Sequence, residues 1–333
     1  MTALIAAVAL IQGPTISTIW STRLQTEIQS FAVGERIYFG ANNSFGALHP
    51  DTGKKIWARA VATPQLGVFI AEGDGLLFAS VGQGGLGAFN AKSGKPVWSA
   101  KRTGYASPIG FYNQSVYASL DSGKLTALSA GSGKPVWTAD LQKTVPSIRP
   151  IRFGTHIFVG TKEGLVFAFD KDSGKLSWKA QERKSGVQAL IVAPERLVAC
   201  HDDGSIIGFS LETGAKMWAV YTNNGLFGNP MLKDGRLYVT SLSGRFYSIA
   251  AQSGQELWVR SVSFLQNYGL TQPISWKEGM LLGDNSKLAW LDSDGQKQWE
   301  VDGGLPLVGN PPRAFGDDIL LIGSHEFRLV RLK

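Results

Sequence analysis

The chain has 333 residues, 44% of them hydrophobic and 18% charged, which is an ordinary balance for a globular protein with a sizeable core. Its 40 glycines are spread along the sequence, which favours many short strands with tight turns over a low-complexity chain. The single cysteine, Cys200, excludes an intramolecular disulfide or a multi-cysteine zinc site, and the formal net charge of +7 would suit an anionic partner if its charges were clustered.

The N-terminal segment, residues 1–14, contains an apolar run from Ala3 to Ile11. This run is shorter than the roughly 20 residues that span a bilayer, and it matches the hydrophobic region of a secretory signal. No basic residue precedes it and no clear cleavage site follows, so a signal-peptide remnant and a disordered tail both stay open. No other stretch predicts a membrane span. The run favours a periplasmic or otherwise extracytoplasmic location, and residues 15–333 are expected to form one domain.

The rest of the chain repeats with a period near 40 residues. A glycine turn followed by tryptophan occurs seven times, for example as HPDTGKKIW ending at Trp57 and SAGSGKPVW ending at Trp137. Successive tryptophans are 41, 39, 41, 40, 40 and 41 residues apart. An earlier tryptophan lacks the glycine turn and lies 37 residues before the first complete motif. The eight tryptophans are Trp20, Trp57, Trp98, Trp137, Trp178, Trp218, Trp258 and Trp299.

Each repeat contains four short strand patterns separated by turn residues. In residues 104–139, strands are predicted at 106–111, 115–119, 124–129 and 134–139, and runs of this kind are typical of hairpins. Four strands per unit of about 40 residues indicate a blade of a β-propeller. After Trp299 only three strands remain, and the strand at 16–24 supplies the fourth. The sequence therefore predicts an all-β, eight-bladed propeller of four-stranded antiparallel blades, with the last blade closed by the N-terminal strand.

The tryptophan has the same place in the outer strand of every blade. A large flat side chain there can pack against the neighbouring blade, while the preceding glycine supplies the turn with positive φ. The eight tryptophans are therefore predicted to be structural staples between blades. The motif, seen as ALHPDTGKKIW and GFSLETGAKMW, resembles the tryptophan-docking repeat of PQQ-type, quinoprotein-like propellers. This resemblance covers residues 16–333 and concerns the fold, because fold does not determine chemistry.

Charged residues of the repeat are expected on one rim of the ring. Seven lysines lie at or just after the turn between the third and fourth strands, and they favour a solvated rim over a specific anion site. No aromatic residues are interleaved with them, so nucleic-acid binding is not predicted. These lysines are Lys54, Lys55, Lys95, Lys134, Lys175, Lys216 and Lys297.

The opposite face carries the residues in which the repeats differ. His201, Asp202 and Asp203 form a polar turn there rather than a metal site, because metal ligands must converge. In five blades a polar residue precedes a proline where the inner strand begins near the axis. These groups, with one nearby arginine, are the candidate ligand-binding residues of a central funnel: Ser107, Arg149, Arg152, Asn229, Gln272 and Asn310.

Three classes of function stay open. A quinoprotein dehydrogenase would hold PQQ and Ca²⁺ over the funnel beside a catalytic carboxylate, and the alcohol dehydrogenases of that family add a disulfide of adjacent cysteines. This chain has one cysteine, no long inserted loops and no Asp or Glu at the start of an inner strand. A ligand-sensing or carbohydrate-binding propeller would depend on the funnel alone. The third class is a protein-binding scaffold.

The compact size and regular blades resemble the propeller lipoprotein of the outer-membrane β-barrel assembly machinery, the BamB-like proteins, although this chain lacks the lipobox cysteine. This resemblance implies a scaffold of the cell envelope that binds another protein and has no catalytic site and no cofactor. It further implies a protein that is monomeric by itself and does not bind nucleic acid. The sequence favours this class.

Overall fold

The computed structural model describes residues 14–61, 68–81, 85–101, 107–120, 123–222, 225–261, 271–284, 286–307 and 310–333. The described residues form strands and turns, with no helix among them, and so contain no helix that could cross a bilayer. The strands pair into eight four-stranded antiparallel sheets arranged as the blades of a propeller. The predicted eight-bladed fold is confirmed. The predicted tail at residues 1–13 lies outside the described residues.

The first four blades follow one another along the chain, each built in the order inner strand to outer strand. Blade 1 contains β2 (Ile28–Val33), β3 (Ile37–Ala41), β4 (Ser44–Leu48) and β5 (Lys55–Ala60). Blade 2 contains β6 (Val68–Gly73), β7 (Leu76–Val81), β8 (Gly85–Asn90) and β9 (Pro96–Ala100). Blade 3 contains β10 (Gly110–Tyr112), β11 (Ser115–Ala118), β12 (Lys124–Ser129) and β13 (Pro135–Asp140). Blade 4 contains β14 (Ile151–Phe153), β15 (His156–Gly160), β16 (Val166–Asp170) and β17 (Leu176–Ala180).

The remaining blades continue this order until the last, which takes its outer strand from the start of the chain. Blade 5 contains β18 (Val187–Ala193), β19 (Arg196–His201), β20 (Ser205–Ser210) and β21 (Lys216–Tyr221). Blade 6 contains β22 (Leu226–Lys233), β23 (Arg236–Ser241), β24 (Arg245–Ala250) and β25 (Glu256–Ser261). Blade 7 contains β26 (Ile274–Trp276), β27 (Gly279–Asp284), β28 (Lys287–Leu291) and β29 (Lys297–Asp302). Blade 8 contains β30 (Arg313–Phe315), β31 (Asp318–Ile322), β32 (Glu326–Leu332) and β1 (Ile16–Arg23).

Four of the five inner strands with an X-Pro pair are short, whereas in blade 6 Pro230 lies inside the eight-residue strand β22, so the prediction that the inner strand begins at the proline is wrong there. The first strand of blade 3 was predicted at 106–111, but it begins only at Gly110, and residue 106 lies outside the described residues. Pro108 has no N–H to donate to the ladder, and the side chain of Ser107 accepts the N–H of Ser119 at 3.2 Å in place of a backbone partner. Three other blades with such a proline also have inner strands of three residues, namely β14, β26 and β30.

The hydrophobic core is divided into clusters that lie between successive blades. Each cluster combines apolar side chains from two neighbouring sheets, as where Phe78 of blade 2 meets Val116 of blade 3. Cys200 belongs to the cluster between blades 5 and 6 and is fully buried, which raises the pKa of its thiol to about 12. Cys200 is therefore a packed core residue. Each blade therefore depends on its neighbours for the burial of its apolar faces.

The turn between the third and fourth strands serves two purposes. Its glycine has positive φ in every complete motif, for example +68° at Gly174. A Cβ atom at Gly174 would also lie 2.5 Å from the ring of Trp137 of the preceding blade, so only glycine leaves room for the indole. The same contact occurs at six other turns: Gly53, Gly94, Gly133, Gly214, Gly254 and Gly295. The repeat lysines beside these turns are all exposed.

The tryptophans extend from one blade to the next. The indole N–H of Trp137 donates to the carbonyl oxygen of Lys171 at 2.9 Å, and that of Trp20 donates to the carbonyl of Pro50 at 2.8 Å. Trp57, Trp98 and Trp178 make equivalent bonds to the following blade. Each of these five indoles therefore contributes both apolar area and one directional bond at a blade junction.

Three tryptophans depart from this pattern. Trp218 and Trp258 contact the following glycine turn, but their indole N–H groups are buried without an acceptor among the described residues. Trp299 packs against Trp276 and Trp290 of its own blade at centroid distances of 6.0 and 6.4 Å. It faces Pro14 and Lys333 across a cavity of about 200 Å³, and these residues of blade 8 take the place that a glycine turn has in the other blades.

Candidate functional site

A cavity of about 540 Å³ lies on the axis of the propeller, where the inner strands of all eight blades converge. This volume is within the range of pockets that hold small molecules. Apolar side chains such as Ile70, Ile109 and Ile148 form much of the wall. The polar and charged groups of the wall are Ser30, Arg149, Gln188, Asn229, Gln272 and Arg313.

The structure brings three of the six predicted funnel residues into this cavity: Arg149, Asn229 and Gln272. The other three are not part of its described wall. Ser107 is buried, and its hydroxyl accepts the N–H of Ser119 just before the shortened strand begins. Arg152 follows Ile151, whose side chain lines the axis, so the alternation of the strand directs Arg152 away from it. Asn310 is half-buried just before the prolines that lead to Arg313.

The X-Pro pattern missed three polar wall residues, and the repeat period could have found two of them. Gln188 lies 39 residues after Arg149 and 41 before Asn229, so it occupies the same position in a blade that has no proline there. Ser30 occupies this place in blade 1, and its hydroxyl donates to the carbonyl of Val68 in blade 2. Arg313 lies at the start of β30, beyond two prolines, where no spacing rule would have placed it.

Two arginines dominate the electrostatics of the channel. Arg149 and Arg313 line both the axial cavity and a second cavity of about 580 Å³ that adjoins it. Burial and the nearby positive charge of Arg149 lower the pKa of Arg313. The guanidinium of Arg313 lies over the ring of Phe31, 5.2 Å from its centroid. The described wall of the axial cavity is therefore positively charged.

Comparison with known proteins identifies the family. A family model described as outer membrane protein assembly factor BamB matches residues 15–139, 121–227 and 223–333. The chain belongs to this family. BamB of Moranella endobia is 28% identical over 153 residues, which are 42% of this chain and 38% of that protein. The matched segment therefore spans about two fifths of the relative's length.

Solved structures share the fold of this BamB-family protein. The crystal structure of BamB from Moraxella catarrhalis aligns with a TM-score of 0.76 and 18% identity, covering 96% of this chain and 98% of that one. A quinohemoprotein alcohol dehydrogenase from Pseudomonas putida aligns with a TM-score of 0.69 and 12% identity, covering 95% of this chain and 75% of the enzyme. At these identities the likeness concerns the propeller alone.

The axial wall of the BamB-family protein does not fit a calcium-bound quinone. Ca²⁺ is held by six to eight oxygen ligands, several of them carboxylates. The charged groups on the described wall of the axial cavity are the guanidiniums of Arg149 and Arg313, which repel a cation. No group of three or more His, Cys, Asp or Glu side chains among the described residues has a geometry that could hold a metal.

The side chains of His201 and Asp203 in the polar turn of blade 5 contact other groups of the protein. His201 is fully buried, with Nδ1 2.9 Å from the carbonyl oxygen of Ser185. Asp203 accepts the N–H of Ser205 at 2.9 Å and lies 3.7 Å from the guanidinium of Arg183. Asp202 and Asp203 are exposed, so these carboxylates do not converge with the buried imidazole.

Glu72 in the second cavity gives this protein a testable pH dependence. Burial, and then the carboxylates of Glu35 and Asp74, raise the pKa of Glu72 above its ordinary value of 4.5. A raised carboxyl pKa means that ionisation destabilises the folded state at neutral pH, and that this cost disappears below the unfolded pKa. We expect Glu72→Gln to have a higher melting temperature than the wild type at pH 7, with the difference vanishing near about pH 4.

Thermal unfolding of both proteins across this pH range measures the effect. Glu256→Gln is the matched control, because Glu256 is exposed on β25 and should change the melting temperature little at any pH. Equal melting temperatures of Glu72→Gln and wild type at pH 7 would contradict the assignment.

Proposed function

We propose that this BamB-family protein is a non-catalytic scaffold that acts outside the cytoplasm and binds another protein of the cell envelope during outer-membrane protein assembly. The observation that carries the proposal is the family match, which extends over residues 15–333. The regular blades support it, because a rigid ring presents its variable loops to a partner without needing a catalytic centre.

The face that carries the blade-to-blade links is the favoured contact surface. At blades 5 and 6 it exposes Tyr221 and Leu242, with 53% and 55% of their surface accessible to solvent. The guanidinium of Arg183 lies 4.5 Å from the centroid of the Tyr221 ring. We name Arg183, Tyr221 and Leu242 the blade 5–6 patch. Tyrosine and arginine beside an apolar group are the side chains that contribute most at protein interfaces.

Two hydrogen bonds to backbone carbonyls hold the turn and the link of this patch together. The N–H of Leu242 donates to the carbonyl of Gly225 at 2.8 Å, and the hydroxyl of Tyr247 donates to the carbonyl of Thr222 at 3.0 Å. A pre-organised patch loses little conformational entropy on binding. The patch therefore suits a contact with a folded partner.

The test is cross-linking in envelope extract of the source organism, followed by identification of the captured proteins. Wild type is expected to capture a component of the outer-membrane assembly machinery, and Leu242→Asp should capture at least about tenfold less, since it places a charge in the contact. Val136→Asp is the matched control, because Val136 is 58% exposed on the outer strand β13, away from the patch.

Two results would contradict the proposal. One is the recovery of no outer-membrane assembly component by the wild type. The other is an increase in melting temperature, with dye-linked dehydrogenase activity, on addition of PQQ and Ca²⁺, which would support the enzyme alternative. Unchanged capture by Leu242→Asp would refute the contact surface and leave the scaffold role to be judged by the wild-type capture alone.

A further inference from the structure

The axial channel contains two positive charges that the scaffold role does not use. Arg149 enters from blade 4 and Arg313 from blade 8, which are four blades apart in a ring of eight. They therefore approach the axis from opposite sides, and both line the axial cavity and the adjoining second cavity. Two guanidiniums facing one concave space create a positive potential that attracts anions.

No carboxylate neutralises this pair within the described part of the chain. Neither arginine forms an ion pair there, and no acidic side chain lines the described wall of the axial cavity. Glu72 lines the second cavity, but the charges that act on it are the carboxylates of Glu35 and Asp74. A protein stabilised only by its own contacts gains nothing from placing two like charges on one cavity.

The position of Arg313 leaves its donors available. The flat face of the guanidinium lies over the ring of Phe31, and this contact fixes the plane of the group. Arginine presents its N–H groups along the edges of that plane, in a fork that matches the two oxygens of a carboxylate or phosphate. Stacking thus orients the side chain without using its hydrogen bonds.

The amides of the wall add a second independent observation. The Oε1 atom of Gln188 is buried without a hydrogen-bond partner, while its Nε2 atom makes only a long contact of 3.5 Å to the carbonyl of Leu226. Asn229 and Gln272 contribute two more side-chain amides to the cavity wall, from the next two blades. A buried acceptor without a partner is costly, and Gln188 places this cost at the wall of the axial cavity.

We propose that the axial channel is an anion-binding site in which a carboxylate or phosphate group is held between the guanidiniums of Arg149 and Arg313. The rest of the ligand contacts the amide of Gln188 and the apolar wall. The anion comes either from a free organic acid or phosphate, or from an acidic side chain of a bound protein. This site is separate from the blade 5–6 patch and does not depend on the proposed scaffold role.

Calorimetric titration at low ionic strength tests the site with three probes: citrate, inorganic phosphate and a hexaglutamate peptide. We expect saturable binding of at least one probe to the wild type. Arg149→Gln and Arg313→Gln should each weaken it about tenfold or more, because each removes a charge-assisted hydrogen bond. Arg149→Lys should retain part of the affinity, since it keeps the charge and loses the fork. Arg152→Gln, on the same strand but directed away from the axis, should bind as the wild type does.

The melting temperature gives a second readout that does not depend on heat of binding. The binding probe should raise the melting temperature of the wild type more than sodium chloride of equal ionic strength does, and this excess should be lost in Arg149→Gln. Without the probe, Arg149→Gln should be at least as stable as the wild type, because it removes one of the two like charges that line the cavity. Binding of citrate or phosphate assigns a free anion, and binding of hexaglutamate alone assigns a protein side chain. Absence of binding by all three probes, or binding by both Arg→Gln variants that is as tight as that of the wild type, overturns the proposal.

Discussion

Replacing Trp137 with alanine is expected to lower the free energy of unfolding by about 3–5 kcal/mol, the usual cost of emptying a buried aromatic site. Trp137 is 9% exposed and packs against Tyr117 of its own blade, with ring centroids 5.8 Å apart. It also donates a hydrogen bond to Lys171 in blade 4. The substitution therefore removes core area and an interblade bond together.

A double-mutant cycle with the facing glycine separates the contact from the rest of the structure. Gly174→Ala alone should be strongly destabilising, because its Cβ would lie 2.5 Å from the Trp137 ring on a backbone with φ of +68°. In the Trp137→Ala background the clash is absent and only the backbone strain remains. We expect a coupling energy within the range of about 0.5–3 kcal/mol found for contacting residues.

Denaturant unfolding of the four proteins in the cycle measures both terms. Val136→Ala is the matched control, because Val136 is the exposed neighbour of Trp137 and should change stability by no more than about 0.5 kcal/mol. A loss below about 1 kcal/mol for Trp137→Ala would show that the tryptophans do not hold the blades together. Additive effects of Trp137→Ala and Gly174→Ala would show that the ring and the glycine do not act as a pair.

The number of blades could be predicted because it depends on a contact that recurs in sequence. An indole that must reach the next blade needs the same place in every repeat, so the spacing of the tryptophans in the seven complete motifs stays within one residue of 40. The glycine was predicted for its positive φ alone. Its second purpose, leaving space for the preceding indole, depends on a residue about 40 positions away and could not be inferred from local turn rules.

The channel was only partly predictable, because its wall is built from single positions in different blades. Proline marked the start of the inner strand in four blades but not in blade 6, and three of the residues before a proline, Arg149, Asn229 and Gln272, line the axial cavity. Pro108 interrupts the ladder of blade 3, and the side chain of Ser107 there accepts a backbone N–H instead of lining the cavity. Gln188 lacks the proline marker. The pairing of Arg313 with Arg149 depends on ring closure, which brings residues 164 positions apart to one cavity.

Removing the N-terminal strand is expected to have the second large effect, since it opens the ring. A variant that begins at residue 26 loses β1, which pairs with β32 through seven positions from Ile16 to Arg23. It also loses Trp20, whose indole donates to the carbonyl of Pro50, and the bond from the Thr22 hydroxyl to the carbonyl of Gly53 at 2.6 Å. These contacts join blade 8 to blade 1.

The exposed edge of β32 and the uncovered apolar cluster at the seam should then cause unfolding or aggregation. A variant that begins at residue 14 leaves the described contacts in place and should keep the wild-type melting temperature. Circular dichroism melts and size-exclusion chromatography compare the two variants.

A peptide supplied in trans distinguishes loss of the strand from general damage. A synthetic peptide of residues 14–25 should restore a monomeric elution volume and raise the melting temperature of the variant that begins at residue 26, because it can pair with β32 and place its indole against Gly53. The same peptide with Trp20→Ala keeps the backbone pairing but lacks the interblade contact, so it should restore little. Equal stability of the two truncated variants would show that the ring does not need this strand. Equal rescue by both peptides would assign the closure to backbone pairing alone, because the indole would then add nothing to the seam.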